Sequence, residues 1–232
     1  MATDTPQGAM MASMNPFSLT WQALRSTVAD LADRDFASPS GCRGWLVRDL
    51  VCHLIIDAQD VLITLSTPTA DEATHDAITY WTVSTTPPTG EDPLDALTIR
   101  LAAAYQQPEL LKFHLEDIGA AAGRAAGLVD PMMRVSTQGQ VLTAGDYLSG
   151  YVLEWTLHHL DLITHLPRAA HPPVEGLRQS RRMLETIVGT ALPDAFGDED
   201  ALLIGTGRRA PTAIERDAMG ELAAAKFPVV LS

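Results

Sequence analysis

Positive charge and cysteine are both scarce in this chain, and it contains no long apolar run. Lysine and arginine together number 16 of 232 residues, against 29 aspartates and glutamates, so the formal net charge is −13. A surface this acidic repels phosphate backbones and anionic headgroups, so neither a nucleic-acid partner nor a membrane surface is expected. The two cysteines, Cys42 and Cys52, are too few for a disulfide scaffold. Cys52 lies inside an apolar helical pattern and reads as a reduced core thiol. No stretch of eighteen apolar residues is present, which excludes a membrane helix. Residues 1–14 lack a basic start followed by an apolar run. They read as a short disordered leader, not a signal peptide, on a cytoplasmic protein. What the chain does have is a 46% hydrophobic composition, enough to fill a core and to exclude wholesale disorder. Its length suits one domain with a smaller appendage.

Helix signals dominate. Asn15-Pro16 supplies a cap followed by proline at the first helical position. From Phe17 to about Phe36, residues Phe17, Trp21, Leu24, Val28 and Leu31 alternate spacings of four and three, which is one helix face. Residues 37–44 read as a loop, and a second helix is predicted from Leu46 to Leu65, with Leu50, Leu54, Val61 and Leu65 in one stripe. Residues 66–91 form a long polar connection anchored by Tyr80-Trp81. Asp92-Pro93 opens a third helix running to about Leu128, with a break near Pro108. Residues 129–142 suggest an extended stretch. Thr143 and Asp146 form a capping-box-like start to a fourth helix that runs to about Leu166. After a linker at 167–173, the pattern predicts a helix over 173–191, a short strand over Ala201–Gly205, and a capping box at Thr212 and Glu215 opening a last helix to about Phe227. The organisation is thus a leader (1–14), a helical bundle (15–166) and a short α+β extension (167–232).

The chemistry concentrates on the second and fourth helices. Glu154 and His158 are four residues apart and project from one face. That face also carries Tyr147, Tyr151, Asp161 and His165, where a plain bundle helix would be aliphatic. His53 sits among leucines on the inward face of the second helix. Two facing helices can therefore bring His, Glu and His to one point, and three such ligands with an open fourth position form the catalytic zinc pattern. Each feature taken singly has a plainer reading. A lone His53 is a core histidine bonded to a carbonyl. Glu154 with His158 is an ordinary i,i+4 ion pair. Taken together, a glutamate among Leu153, Trp155 and Leu157 is costly to bury without a partner or a metal. His159 points about 100° away from His158 and reads as packed or surface imidazole. His75, His114 and His171 have no ligand spacing. Gly205-Thr206-Gly207 is too short for a phosphate loop, and no nucleophile elbow or His-Glu-x-x-His motif occurs.

The stretch Trp45-Leu46-Val47-Arg48-Asp49-Leu50-Val51-Cys52-His53-Leu54 resembles the second-helix motif of the mycothiol-dependent maleylpyruvate isomerase family, within the DinB-like superfamily. Glu154-Trp155-Thr156-Leu157-His158-His159-Leu160-Asp161 is similar to that family's second metal motif. The tail Gly205–Pro211 with Glu215-Arg216 is similar to the endings of shorter members. The resemblance implies a mainly α fold, a DinB-like four-helix bundle with a small C-terminal α+β extension. It implies a divalent metal, zinc above the others, held by His53, Glu154 and His158, with Asp57 and Asp161 behind the ligands. It also implies mycothiol as a cofactor thiol, which the metal converts to a thiolate that attacks a small electrophilic substrate. Two outcomes follow from that attack, cis–trans isomerisation or thiol S-transfer. Leu46 stands where the family often has Ser or Thr, and the chain after the bundle is shorter than in the isomerase proper. Arg208 is the stand-in for the catalytic arginine that the longer ending supplies, a residue suited to holding a substrate carboxylate. The rival reading is a non-catalytic bundle that binds a small ligand, with the same residues as a structural metal site or a polar network. A homodimer is compatible with the sequence, although no exposed stripe argues for it.

Overall fold

The computed structural model describes residues 15–86 and 93–231. The leader at 1–14 and the cap expected at Asp92 lie outside the described residues. Eight α-helices are present among them. In chain order they are α1 (Pro16–Asp30), α2 (Val47–Leu65), α3 (Pro93–Ala104), α4 (Pro108–Leu128), α5 (Ala144–Ile163), α6 (Val174–Val188), α7 (Asp198–Gly205) and α8 (Ala213–Lys226). The short strands are β1 (Val83–Ser84), β2 (Arg134–Thr137), β3 (Gln140–Thr143) and β4 (Val230–Leu231).

The bundle consists of α1, α2, α4 and α5. Its centre is aromatic: Trp21 of α1 stacks on Trp155 of α5 at 3.8 Å, Phe17 lies 4.8 Å from Trp155, and all three are buried. The Trp21 indole N–H donates to the Gly119 carbonyl of α4 at 2.8 Å, so its one polar atom is satisfied. Gly119 permits that approach, because a Cβ there would stand 2.7 Å from Trp21.

The N-terminal caps read from the sequence are in place. Asn15 accepts from the Ser18 amide, and Thr143 accepts from the Asp146 amide. Helix ends differ in several places. α1 stops at Asp30, and Asp33–Ala37 form a separate 3-10 turn whose Asp35 carboxylate accepts from the Ala32 amide. Aspartates that compete for nearby backbone donors favour such a break over helix continuation. Pro108 begins a new helix, so the expected third helix is two, α3 and α4. The extended stretch at 129–142 is a β2–β3 hairpin, turned by Gln138 and Gly139, both at positive φ. α6 ends at Gly189, whose φ of 65° provides a left-handed cap.

The strand expected at Ala201–Gly205 is a helix, α7. A five-residue apolar run does not distinguish a strand from a buried helical turn, and here the preceding Asp198, Glu199 and Asp200 form the first turn of a helix. The extension's strand is β4 instead. It pairs antiparallel with β1, which belongs to the 66–86 connection.

α5 serves two cores. Tyr147, Tyr151, Trp155 and Leu162 face the bundle, while Leu153, Leu157 and Leu160 pack with Leu184, Leu202 and Phe227 of the extension. Glu154, His158 and Asp161 run along the seam between these faces. Truncating Trp155 to alanine is expected to cost about 3–5 kcal/mol in urea unfolding. Thr143→Ala, which removes only the α5 cap, is expected to cost about 1 kcal/mol.

Candidate metal centre

α2 and α5 present their polar faces to each other. His53 Nε2 lies 3.1 Å from His158 Nε2, and His158 Nε2 lies 3.0 Å from Glu154 Oε1. Asp57, one turn along α2 from His53, places Oδ1 3.5 Å from His53 Nε2. One ligand atom each from His53, Asp57, Glu154 and His158 can be chosen so that all lie within 4.8 Å of one another. Asp57, expected behind the ligands, is therefore grouped with them. Its Oδ2 is buried with no hydrogen bond among the described residues. Two imidazole nitrogens and two carboxylates converging on one point, one with a buried oxygen left unpaired, suit a divalent cation. The cluster is reachable: the Glu154 and His53 side chains retain 30% and 25% exposure.

Behind the cluster, Asp161 gathers the remaining polar groups. Its Oδ2 lies 3.3 Å from His158 Nδ1, and Arg208 donates to both of its oxygens, Nε to Oδ1 and Nη2 to Oδ2, each at 2.8 Å. The Asp161 carbonyl accepts from the Gly41 amide at 2.8 Å, and the Cys42 thiol donates to Oδ2 at 3.4 Å. Gly41 has to be glycine, since a Cβ would sit 2.6 Å from Asp161 Oδ1. Arg208 reaches Asp161 because Gly207, at φ 73°, turns the chain sharply at the end of α7. Its neighbour Arg209 is held by Asp200 and Glu215. Arg208, expected to meet a substrate carboxylate, thus has two of its three nitrogens on a buried aspartate.

The electrostatics follow from this geometry. Burial, helped by the positive charge of His158, lowers His53 to about 4. Burial also works against a proton on His158, but the Glu154 charge and hydrogen bonds with Asp161, Cys42 and Glu154 outweigh it, and His158 is held well above its ordinary value. Asp57 is pushed up to about 8, by burial first and then by the Glu154 charge. Burial would raise Asp161 and Glu154 too. Arg208 and His158 nevertheless hold Asp161 well below the usual carboxylate range, and His158 and His53 hold Glu154 low. An Nδ1–H directed at Asp161 leaves the His158 Nε2 lone pair for the cluster once the second proton departs.

The other histidines stand apart. His159 is fully buried, and its Nε2 donates to the Ala170 carbonyl at 2.9 Å. His114 is on α4 against Tyr105, His171 is exposed beside Glu199, His75 meets Thr74, and His165 is exposed beyond the end of α5. Cys52 is a free buried thiol, raised to about 11 by burial and the nearby Asp49. Cys42 was not legible as a site residue, because it lies in a loop with no periodicity. Asp60 was legible in principle: it is seven residues from His53, on the same α2 face. It accepts from the hydroxyls of Tyr147 at 2.8 Å and Tyr151 at 3.1 Å.

Fold and site together define a helical-bundle protein with a candidate His/carboxylate metal centre at the seam of two cores. A family model described as the mycothiol maleylpyruvate isomerase N-terminal domain matches residues 17–163, and the chain belongs to that family. No curated protein and no solved structure matches the chain significantly. Among the described residues, no helix is long and apolar enough to cross a membrane.

Two measurements follow. His158 and Asp57 are both shifted toward their protonated forms, and a cation competes with those protons. Zinc affinity, read by competition with a chromophoric chelator, is expected to rise as pH climbs through about 8, the value to which Asp57 is pushed; a flat profile contradicts this protonation scheme. Asp161, with its lowered pKa, contributes stability that is present above its unfolded value of about 4 and lost as pH falls through the folded value. Arg208→Gln is therefore expected to cost about 3 kcal/mol at neutral pH, and urea unfolding should show the gap to wild type closing in acid.

Proposed function

We propose that this chain is a metal-dependent, mycothiol-dependent thiol enzyme, acting either as a cis–trans isomerase on an electrophile of the maleylpyruvate type or as a thiol S-transferase. The observation that carries this reading is the convergence of His53, Asp57, Glu154 and His158 within one ligand-sized space, in a chain of the mycothiol maleylpyruvate isomerase family. His53, Glu154 and His158 would hold the cation, zinc in the first instance, with Asp57 as a fourth donor beside them. A divalent ion there supplies the charge that ionises a coordinating thiol near neutral pH, and the thiolate is the nucleophilic form.

The protein's own groups set the conditions for that chemistry. Asp161 accepts the Nδ1 proton of His158 and fixes which ring nitrogen faces the cluster. Arg208 keeps Asp161 ionised in a buried setting, and its remaining nitrogen, Nη1, is the donor it can offer a substrate carboxylate. Trp45 lies edge-on to His53 at 5.2 Å and packs against one side of its ring. A cytoplasmic location accords with this reading, because a small-thiol cofactor belongs to reducing compartments.

One observation favours a second reading. The two imidazoles and Glu154 already lie at hydrogen-bond distance, so the cluster also works as a polar network in a bundle that binds a small ligand without chemistry. Metal analysis separates the two. Protein purified without chelators is expected to carry about one divalent ion per chain. His158→Ala and His53→Ala are expected to lose that ion together with thiol-dependent turnover. Undiminished turnover in chelator-stripped protein would overturn the enzyme reading, and absence of metal even after added zinc would favour the network.

A further inference from the structure

Residues 66–86, which follow α2, run past α5 as a strap. At one end Thr69 and Ser136 exchange backbone bonds with Arg134 and Thr67, and the Thr74 and His75 amides bond the Val141 carbonyl. At the other end β1 pairs with β4. Between these anchors, Asp76 Oδ1 accepts from the Ile78 and Thr79 amides and forms a tight turn that presents Tyr80 and Trp81 to α5.

Tyr80 lands against α5, one helical turn from Glu154. A Cβ built at Gly150 would stand 3.6 Å from Tyr80 Cδ1, and Gly150 is one helical turn before Glu154 on the same face. The Tyr80 ring lies edge-on to Tyr147 at 6.2 Å, and Tyr147 donates to Asp60. Tyr147 and Tyr151 are thus both committed to Asp60, whereas the Tyr80 hydroxyl makes no hydrogen bond among the described residues. The strap is held at both ends by backbone pairing, so this tyrosine's position does not depend on its hydroxyl.

We propose that Tyr80 is a substrate-contacting residue of this centre, its phenol donating a hydrogen bond to the carbonyl oxygen of an α-keto or enone acid, an assignment of role that rests on the thiol-enzyme reading above. Burial and the charges of Asp60, Glu154 and Asp57 raise the phenol to about 12, so it is a neutral donor at working pH. When the thiolate sulfur, its proton already released to solvent, bonds to the conjugated carbon–carbon double bond, the π pair moves onto the carbonyl oxygen as an enolate. The Tyr80 O–H steadies that charge and keeps its proton. After rotation about the former double bond, the pair returns, the same carbon–sulfur bond breaks with its electrons on sulfur, and the thiolate is regenerated. No oxidant or reductant is consumed.

Tyr80→Phe in the full, zinc-loaded chain removes only the hydroxyl. With mycothiol and maleylpyruvate, kcat is expected to fall tenfold or more, with metal content and melting temperature unchanged. With pyruvate alone as a probe, calorimetry is expected to show about fivefold weaker binding than wild type. Equal pyruvate affinity in the two proteins, or binding by neither, would overturn the proposal. So would a loss of metal and melting temperature in the variant, because that would make Tyr80 a packing residue. If neither protein turns over but pyruvate binding still depends on Tyr80, the thiol-enzyme reading fails and the Tyr80 contact stands.

Discussion

A single buried carboxylate, that of Asp161, holds the centre together. Almost completely enclosed, it would be costly to ionise alone. Arg208 meets both of its oxygens in a bidentate pair, the geometry in which guanidinium and carboxylate match best. The same carboxylate orients His158, takes the Cys42 thiol, and through its own backbone carbonyl anchors the loop before α2. Three separate parts of the chain, the 37–46 loop, α5 and the turn after α7, are tied together at this residue.

The position of that carboxylate follows from the unusual burden on α5. Most bundle helices bury one stripe and leave the rest to water. α5 is apolar on two sides, toward Trp21 and Phe17 in one core and toward Leu184 and Leu202 in the other. Glu154, His158 and Asp161 lie along the seam, where they are shielded enough to interact strongly and open enough for Glu154 to remain reachable. Removing the extension would expose Leu153, Leu157 and Leu160 and withdraw Arg208 in the same stroke. The short ending is therefore part of the site as well as of the fold.

The four groups of the cluster set one another's affinity for protons. His158 and Asp57 are shifted toward their protonated forms, while Glu154 is shifted toward the carboxylate and His53 toward the neutral imidazole. The split is what two imidazoles and two carboxylates at close quarters produce. It also explains why the cluster is stable as a hydrogen-bonded set and still suits a cation: deprotonation frees lone pairs that already point inward.

Local pattern made much of this legible. The caps at Asn15 and Thr143, the break at Pro108, the stripe of α2 and the i,i+4 pairing of Glu154 with His158 all depend on neighbours within a turn or two, so they could be read from residue spacing. Facing histidines on α2 and α5 could be inferred because both helices had to turn those sides inward. Other features depended on contacts remote in sequence. The Ala201–Gly205 run became a helix because an acidic first turn and packing against Leu184 outweighed an ambiguous apolar pentad. Asp57 joined the ligand group, and Arg208 went to Asp161, because of how α2 and the extension dock on α5. Cys42 and Tyr80 came to the centre on loops, whose paths are set by contacts remote in sequence, with Asp161 for one and with β3 and β4 for the other, and carry no periodicity. Spacing along one chain determines which side chains share a face. Which faces meet, and which loop crosses them, is decided only when the hydrophobic sides of separate helices are buried together.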